Sequence, residues 1–509
     1  ALAGIRDGLS RVAAAPADER GGELRRLRRS LDDTSRHAGR PAQIAVVEDY
    51  VLPPARVSPE PWRPMLDDLG PATDLMTVFD WLHDVRAYLT AAFVERYGRG
   101  ADVRLAECAP YLVGEVTRRA GAAAEIYASS SGADGSALAG LGPADGCLQQ
   151  MFELRREITE QIHTRLSKTA AEGGDTLRFS PGEVRQMTEA VPERFRRNPM
   201  LYGTLVQRSG DQLVLNDGLP GHGMLYGRYL DADRRLGGNA TERLAERLKR
   251  VYGAHGGRVV EDRGLYGLNV NAHPRVLEDG LYADDWFALR LRHDPDSDEL
   301  RVEDPAGVPL TVLPLGAGHP GLYPPMLSVA SGLAISGRLY SSFPHSWHTA
   351  LPWDGRTTRA CPSISVGRVV LNRRRWYGGA ELADALAAGP AEHDRLLALT
   401  AWRSRNGVPE EAVVKTSPGD DGPLSVSAPD AQDRRLRQKP QYVDFGSALS
   451  TRVLPRMLER RTAGEDGAVD FVEEALPAVV DGTHAAEWVV EVARAHCGRF
   501  EYEGGPACA

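Results

Sequence analysis

Between Asp74 and Tyr97 the apolar residues Leu75, Val78, Phe79, Leu82, Val85 and Leu89 recur at steps of three and four. That spacing lays one apolar stripe along an α-helix, and such a stripe needs another surface to cover it. Asp74 can cap the start of the helix and Gly98 can close its end. A chain organised around this element is a packed globular protein, and its 509 residues suffice for a sizeable core. At the usual domain size of roughly 100–200 residues, that length accommodates several units or one large composite architecture.

The balance of residues agrees, with 42% apolar and 26% charged. No apolar run is long enough to cross a bilayer. The start of the chain leads into the charged segment Glu19–Arg29 rather than a signal peptide. Cys108, Cys147, Cys361, Cys497 and Cys508 are odd in number, widely scattered and without zinc-type spacing, as expected of reduced thiols in a cytoplasmic protein. The net charge of −9, from 61 basic and 70 acidic residues, argues against non-specific coating of nucleic acid and leaves room for a local basic face. The first residue is Ala rather than Met, so native sequence is expected upstream of it.

Along the chain, residues 9–34 read as a helix carrying Arg25, Arg26, Arg28 and Arg29. Ile44–Val47 reads as a short strand ending at Glu48-Asp49, ahead of the breaker Pro53-Pro54. Ser129–Gly146 has the composition of a flexible loop, and Leu148–Leu166 is helical. From Leu201 onward strands become more frequent. Gln212–Leu215 runs into Asn216-Asp217-Gly218, a strong turn signal, and Asn239–Tyr252 is a helix closed by Gly253. Strands are predicted at Arg258–Val270, Trp286–Leu291, Leu300–Val302, Pro309–Leu313 and Ser363–Leu371, and helices at Glu381–Ala388 and Glu392–Arg405. Ser417–Gly422 is a polar turn, and strand Tyr442–Phe445, helix Ser447–Arg460 and strand Glu487–Val492 complete the series. The sum is an α+β fold, a large composite of mixed and antiparallel sheets with flanking helices, more helical in its first third. Two parts are expected, a helix-rich one over residues 1–200 and a strand-rich α/β one over residues 201–509.

Five segments, taken in order, carry a resemblance. Ile44–Asp49 is a short strand ending in Asp. Phe93-Val94-Glu95-Arg96-Tyr97-Gly98 is followed by Val103-Arg104-Leu105-Ala106-Glu107. A glycine-rich run, Gly221-His222-Gly223-Met224-Leu225-Tyr226-Gly227-Arg228-Tyr229, ends in Gly-Arg-Tyr. Gly367-Arg368-Val369-Val370-Leu371 leads to Trp376, and Lys439-Pro440-Gln441-Tyr442-Val443-Asp444-Phe445 comes last. In this order they resemble the N-terminal, tRNA-dependent transfer region of lantibiotic dehydratases, with Tyr229 where the family has Phe. The Gly-Arg-Val-Val-Leu…Trp order is the most specific of them, and the match runs over nearly the whole chain. The family's transfer region extends upstream of Ala1 and supplies part of its active site there. Its C-terminal elimination domain has no counterpart here.

The resemblance implies an enzyme that moves an amino acid, glutamate above all, from aminoacyl-tRNA to Ser or Thr of a ribosomally made precursor peptide. Such a chain would be one component of a split lantibiotic- or thiopeptide-type dehydratase. The aminoacyl ester is already activated, so the chemistry asks for held geometry and for donors where the oxyanion develops. An arginine fork suits a glutamyl carboxylate, and an acid suits the α-amino group. The resemblance places these roles on Arg228, where the glycine-rich run meets a strand, and on Asp49. Gly221, Gly223 and Gly227 would let backbone approach the substrate without a Cβ in the way. A structural salt bridge for Arg228 and a turn acid for Asp49 are the plainer alternatives.

Clustered arginines would meet the tRNA phosphates: Arg373, Arg374, Arg375, Arg435 and Arg437 are the candidates, with Arg25–Arg29 and Arg456–Arg461 as further basic runs. Exposed helix faces are the ordinary fate of any one such cluster. No metal and no cofactor is expected beyond aminoacyl-tRNA as co-substrate. His345, His348 and Cys361 lack a fourth zinc ligand, and the glycine-rich run has one residue too many for a dinucleotide fingerprint. Ser129-Ser130-Ser131 is a loop rather than a nucleophile elbow, and Trp347, Trp353 and Trp376 are core or rim residues. Two further functions stay open: a peptide aminoacyl-tRNA ligase that uses ATP to add an amino acid to a peptide C-terminus, and a non-catalytic scaffold that binds peptide. Partners implied by the family are aminoacyl-tRNA, precursor peptide, a separate elimination protein and a homodimeric or hetero-oligomeric assembly.

Overall fold

A helix N-terminus needs an acceptor for its free N–H groups, and Asp80 supplies one in the middle of the stripe that the sequence reads as a single helix. The Asp80 carboxylate accepts from the Leu82 backbone N–H at 2.9 Å. The expected helix over Asp74–Tyr97 is accordingly two, Arg63–Thr77 and Leu82–Tyr97. Asp74 lies inside the first of them and caps neither; the second starts after Trp81, with Asp80 just before it, while Gly98, at φ 91°, does close the second. The computed structural model describes residues 2–39, 51–53, 57–129, 136–253, 257–263, 273–316, 323–337, 347–348, 351–389, 391–417, 440–462, 469–478 and 486–494. The chain divides into two units, Ala1–Pro54 and Ala55–Ala509.

The first unit is a helical hairpin. Pro16 breaks the helix expected over residues 9–34 into Leu2–Ala14 and Ala17–His37, and its carbonyl accepts from Arg20 N–H at 2.9 Å. Leu27 is buried between the two, over the bare Cα of Gly8.

Among the described residues the second unit carries three sheets, with three core clusters. A central mixed sheet orders β17 (Trp488–Arg494), β3 (Met200–Ser209), β4 (Gln212–Pro220), β12 (Val369–Asn372), β11 (Ser363–Val366) and β2 (Thr176–Phe179). Its apolar face, with Phe179, Tyr202, Leu213, Ile364 and Val369, packs on the helices Arg63–Thr77 and Cys147–Ala171. A second sheet orders β1 (Asp102–Arg104), β7 (Arg290–Asp294), β8 (Glu299–Glu303), β9 (Pro309–Leu313), β5 (Arg258–Asp262) and β6 (Gly280–Leu281). Its core draws on the helices Leu82–Tyr97, Leu105–Ser129, Ala240–Tyr252 and Pro325–Ala334. The third sheet orders β10 (Arg359–Cys361), β13 (Arg375–Tyr377), β16 (Val469–Glu474), β14 (Glu411–Ser417) and β15 (Gln441–Asp444). Trp376, Trp402, Phe445 and Leu454 fill the space between it and the helices Gly379–Ala387, Glu392–Asn406 and Ala448–Thr462. The architecture is α+β, with long helices concentrated in the first third, as the sequence predicts.

Where the sequence errs, local chemistry explains it. Asn216-Asp217-Gly218 is not a turn. The strand runs through it to Pro220, and Asn216 is the extra residue of a bulge, because Leu205 pairs with Asp217 while Val206 already pairs with Leu215. The expected strand Ser363–Leu371 is two, β11 and β12, folded back at Gly367 with φ 54°. A Cβ there would sit 2.4 Å from an Asp68 carboxylate oxygen that accepts the Arg368 N–H at 2.9 Å. Ser136–Ala139, inside the expected loop, is helical because Leu138 finds burial in the core. Trp286 lies on a 3-10 turn, Asp285–Ala288, rather than in β7, and β5 stops at Asp262.

The helix Leu82–Tyr97 is buried on every side through Phe93, since it lies between two cores. Ala87 and Tyr88 face that of the central sheet, whereas Leu82, Val85, Leu89 and Phe93 face that of the second. Several charged groups along this seam are paired. Asp80 accepts from the Tyr202 hydroxyl at 2.5 Å and from Gly337 N–H at 2.9 Å. Arg155 donates to Asp84 at 2.9 Å and to the Val78 carbonyl at 2.8 Å, and Arg86 donates to the carbonyls of Gly332 and Ile335 at 3.2 and 2.6 Å. Burial pushes the Asp84 carboxyl up, and Arg155 pulls against it.

Candidate functional site

The glycine-rich run follows β4 and begins as an extension of its ladder, with Gly221 N–H donating to the Leu201 carbonyl at 2.8 Å. The chain then folds over itself. Gly223, at φ 77°, donates to Gly221 O at 2.8 Å, and Gly227 donates to Gly223 O at 2.7 Å. Tyr229 N–H donates to Tyr226 O at 2.9 Å, which closes one turn of 3-10 helix, Gly227–Tyr229, leading into the helix Leu230–Arg235. Arg228 therefore sits on a 3-10 turn at a helix start, not where a strand begins.

Two of the three glycines serve the chain's own packing. A Cβ at Gly221 would lie 2.7 Å from Leu201 Cγ and 2.9 Å from the Tyr202 carbonyl carbon, and one at Gly223 would lie 2.8 Å from Leu244 Cδ2. At Gly227 a Cβ would meet the Cα of Gly316 at 3.5 Å, an ordinary contact, so packing does not demand glycine there.

Arg228 is exposed. Its guanidinium stands 4.6 Å from the ring centroid of Tyr229 and bonds that residue's hydroxyl, so it is held over an aromatic face. Beneath it the turn is anchored. The half-buried Tyr226 donates its hydroxyl to Glu491 Oε1 at 2.8 Å, and the other oxygen of Glu491 forms an ion pair with Arg247 of the helix Ala240–Tyr252. Burial pushes the Tyr226 hydroxyl up to about 12, with Arg247 and Arg243 pulling the other way, so it stays protonated and donates at neutral pH. His222 is buried within the run. Burial and the neighbouring His273 hold its pKa down to about 4, which leaves it neutral.

The remaining candidates lie elsewhere. Arg375 is buried in β13 against Glu473, and it donates to Asn372 Oδ1 at 2.9 Å. Arg373 and Arg374 occupy the link from β12 to β13, where one sheet hands over to another. Arg373 donates to the Leu476 carbonyl at 2.8 Å and to Asn216 Oδ1 at 2.7 Å, and Arg374 pairs with Asp175 at 2.6 Å over the ring of Trp376. Asp49, Arg435, Arg437 and His345 lie outside the described residues. Arg25, Arg26, Arg28 and Arg29 are exposed on the second helix of the first unit. His348 Nε2 lies 2.7 Å from the Pro362 carbonyl, Cys361 is a buried free thiol, and Trp347 and Trp376 are buried. Among the described residues no group of three or more His, Cys, Asp or Glu is placed to hold a metal.

The turn thus joins an exposed, stacked guanidinium to a buried carboxylate through one tyrosine. An anionic group meeting Arg228 would find a planar donor already oriented. Tyr226, Arg247 and Glu491 were not singled out by the sequence. Glu491 lies there within the predicted strand Glu487–Val492, and only the register of β17 on β3 brings it to residue 226.

No protein-family profile and no curated protein matches the chain. Among solved structures it is similar to the glutamylation domain of TbtB from thiomuracin biosynthesis, at 22% identity and TM-score 0.63. The same domain bound to 5'-phosphodesmethylglutamycin gives 22% identity and TM-score 0.62. Each alignment covers 96% of this chain and 57% of the solved one, so the chain spans little more than half the length of its structural neighbour. The tRNA-dependent lantibiotic dehydratase MibB from Microbispora sp. 107891 aligns over 62% of the chain at 14% identity and TM-score 0.42, too slight a likeness to bear on the fold. Over nearly its whole length the chain has the fold of the TbtB glutamylation domain.

Proposed function

We propose that the chain transfers a glutamyl group from aminoacyl-tRNA to a Ser or Thr hydroxyl of a ribosomally made precursor peptide. The observation that carries this is the fold shared with a glutamylation domain over 96% of the chain. The ordered motifs and the stacked Arg228 support it. In the reaction the peptide hydroxyl oxygen attacks the ester carbonyl carbon, and the tetrahedral adduct expels the ribose oxygen of the tRNA terminus. The hydroxyl proton leaves the peptide and ends on that ribose oxygen, so the exchange of one ester for another balances without ATP. Holding the two reactants in line supplies much of the rate. Arg228 is the residue we assign to the glutamyl side-chain carboxylate, and the carboxylate–guanidinium fork would discriminate against uncharged aminoacyl groups.

The test combines the protein, a candidate precursor peptide, tRNA, a glutamyl-tRNA synthetase and glutamate, with ATP removed once the tRNA is charged. A base-labile mass gain on Ser or Thr is expected. A stable gain at the peptide C-terminus that requires fresh ATP would instead indicate a ligase. No gain under any condition would leave a binding role.

A further inference from the structure

We infer that Glu491 is the positioning residue of the glycine-rich turn, acting through the Tyr226 hydroxyl to hold Arg228 ready for its ligand. The inference rests on the transfer reading above for its functional consequence, and on geometry alone for the tether.

Three observations meet here. First, the contact spans 265 positions of sequence, from the turn to the last described strand, and its hydrogen bond is 2.8 Å long. Second, Glu491 is 4% exposed, so its carboxylate is withdrawn from water and requires partners. Arg247 provides the counter-charge beside one carboxylate oxygen, and Tyr226 the neutral donor to the other. Third, the register clears a path. Glu491 lies opposite Gly203 of β3, and a Cβ on Gly203 would already touch Gly221 Cα and Leu225 Cδ1 at 3.8 Å. Arg228 is two residues from Tyr226, within the single 3-10 turn closed by Tyr229 N–H on Tyr226 O. Fixing the Tyr226 ring therefore fixes the backbone that aims the guanidinium.

A tether of this kind acts on binding. Arg228 would meet the glutamyl carboxylate before and during reaction alike, so loosening it raises KM and spares kcat. Tyr226→Phe removes one oxygen and keeps the ring, and Glu491→Gln keeps the shape and removes the charge. Steady-state transfer from glutamyl-tRNA is measured for both, beside hydrogen–deuterium exchange over residues 221–229 and a thermal melt. The expected result is a rise in KM for glutamyl-tRNA of about tenfold in Tyr226→Phe, with kcat within about twofold of the parent and faster exchange confined to the turn. Unchanged KM and exchange in an active Tyr226→Phe protein would overturn the tether while leaving the transfer reading intact, and so would a fall in kcat at constant KM. If the parent itself transfers nothing, the transfer reading fails, and exchange alone decides the tether: faster in the variants supports it, unchanged overturns it.

Discussion

Arg375 of β13 and Glu473 of β16 are directly paired across the third sheet, with Nε and a carboxylate oxygen 2.5 Å apart and side-chain exposures of 3% and 2%. Each charge has been taken out of water and is compensated by the other. Removing one partner strands the second, which costs far more than an exposed pair contributes. Glu473→Gln is expected to destabilise the fold by roughly 3–5 kcal/mol, read as a lowered midpoint in urea with the slope unchanged. A variant within about 0.5 kcal/mol of the parent would contradict this account of the pair.

A second prediction concerns the seam between two cores. Asp80 gathers the Tyr202 hydroxyl and two backbone N–H groups around one buried carboxylate. Asp80→Asn exchanges a charged acceptor for a neutral one and points an amide N–H at a donor, so a loss of about 2–3 kcal/mol is expected. Tyr202→Phe should cost about 1.5 kcal/mol or more by leaving the carboxylate one donor short. Because the two residues share a bond, the double variant should be more stable than the sum of the two losses predicts. Strict additivity in a double-mutant cycle would mean that the hydroxyl and the carboxylate do not interact.

Buried histidines set an acid limb. Burial holds His222 at about 4, helped by His273, and His348 at about 3, helped by Arg375. Both folded values lie below the ordinary 6.5, so the unfolded chain binds these protons first as the pH falls. Their stabilisation is complete above about pH 6.5 and is lost as the pH drops toward 4 and 3, at about 1.4 kcal/mol per pH unit for each histidine. His222→Phe should flatten the dependence by the share of one histidine between pH 6 and 5. Stability curves that run parallel in parent and variant would rule out a neutral, buried imidazole at 222.

The exposed Arg228 offers a cleaner separation of function from folding. Since its guanidinium rests on the ring of the adjacent Tyr229, Arg228→Ala should leave the melting temperature where it was and lower kcat/KM for glutamyl-tRNA steeply, chiefly through KM. Arg228→Lys should restore little, because an ammonium cannot reproduce the planar, stacked fork. An unchanged kcat/KM for glutamyl-tRNA in Arg228→Ala would remove this residue from the site.

Much of the fold was legible because its signals are local. Gly98 ends a helix as its position after Tyr97 suggests, and the apolar face of Ala240–Tyr252 is buried as its spacing requires. The motifs that carry the resemblance prove largely architectural. Phe93 is core, Gly367 and Arg368 fold around Asp68, and Val443 and Phe445 fill the third core. That is why their order speaks for the fold more clearly than for chemistry. What escaped the sequence depends on distant register. Asp80 overrides a continuous stripe because Tyr202 and Gly337 arrive from elsewhere, and Glu491 gains meaning only when β17 lies on β3. Even the arginine run 373–375 divides on folding, with Arg375 turned to a buried carboxylate while Arg373 and Arg374 bridge two sheets.

The most direct trial of glutamyl transfer follows the atom itself. Isotopically labelled glutamate is loaded onto tRNA, the charged tRNA is purified free of ATP and synthetase, and it is mixed with the protein and a precursor peptide. Label appearing on a Ser or Thr of the peptide, at a rate that falls steeply with added salt as phosphate contacts are screened, is the expected outcome. Label that stays on the tRNA, or is lost only to water, would contradict the function proposed for this chain.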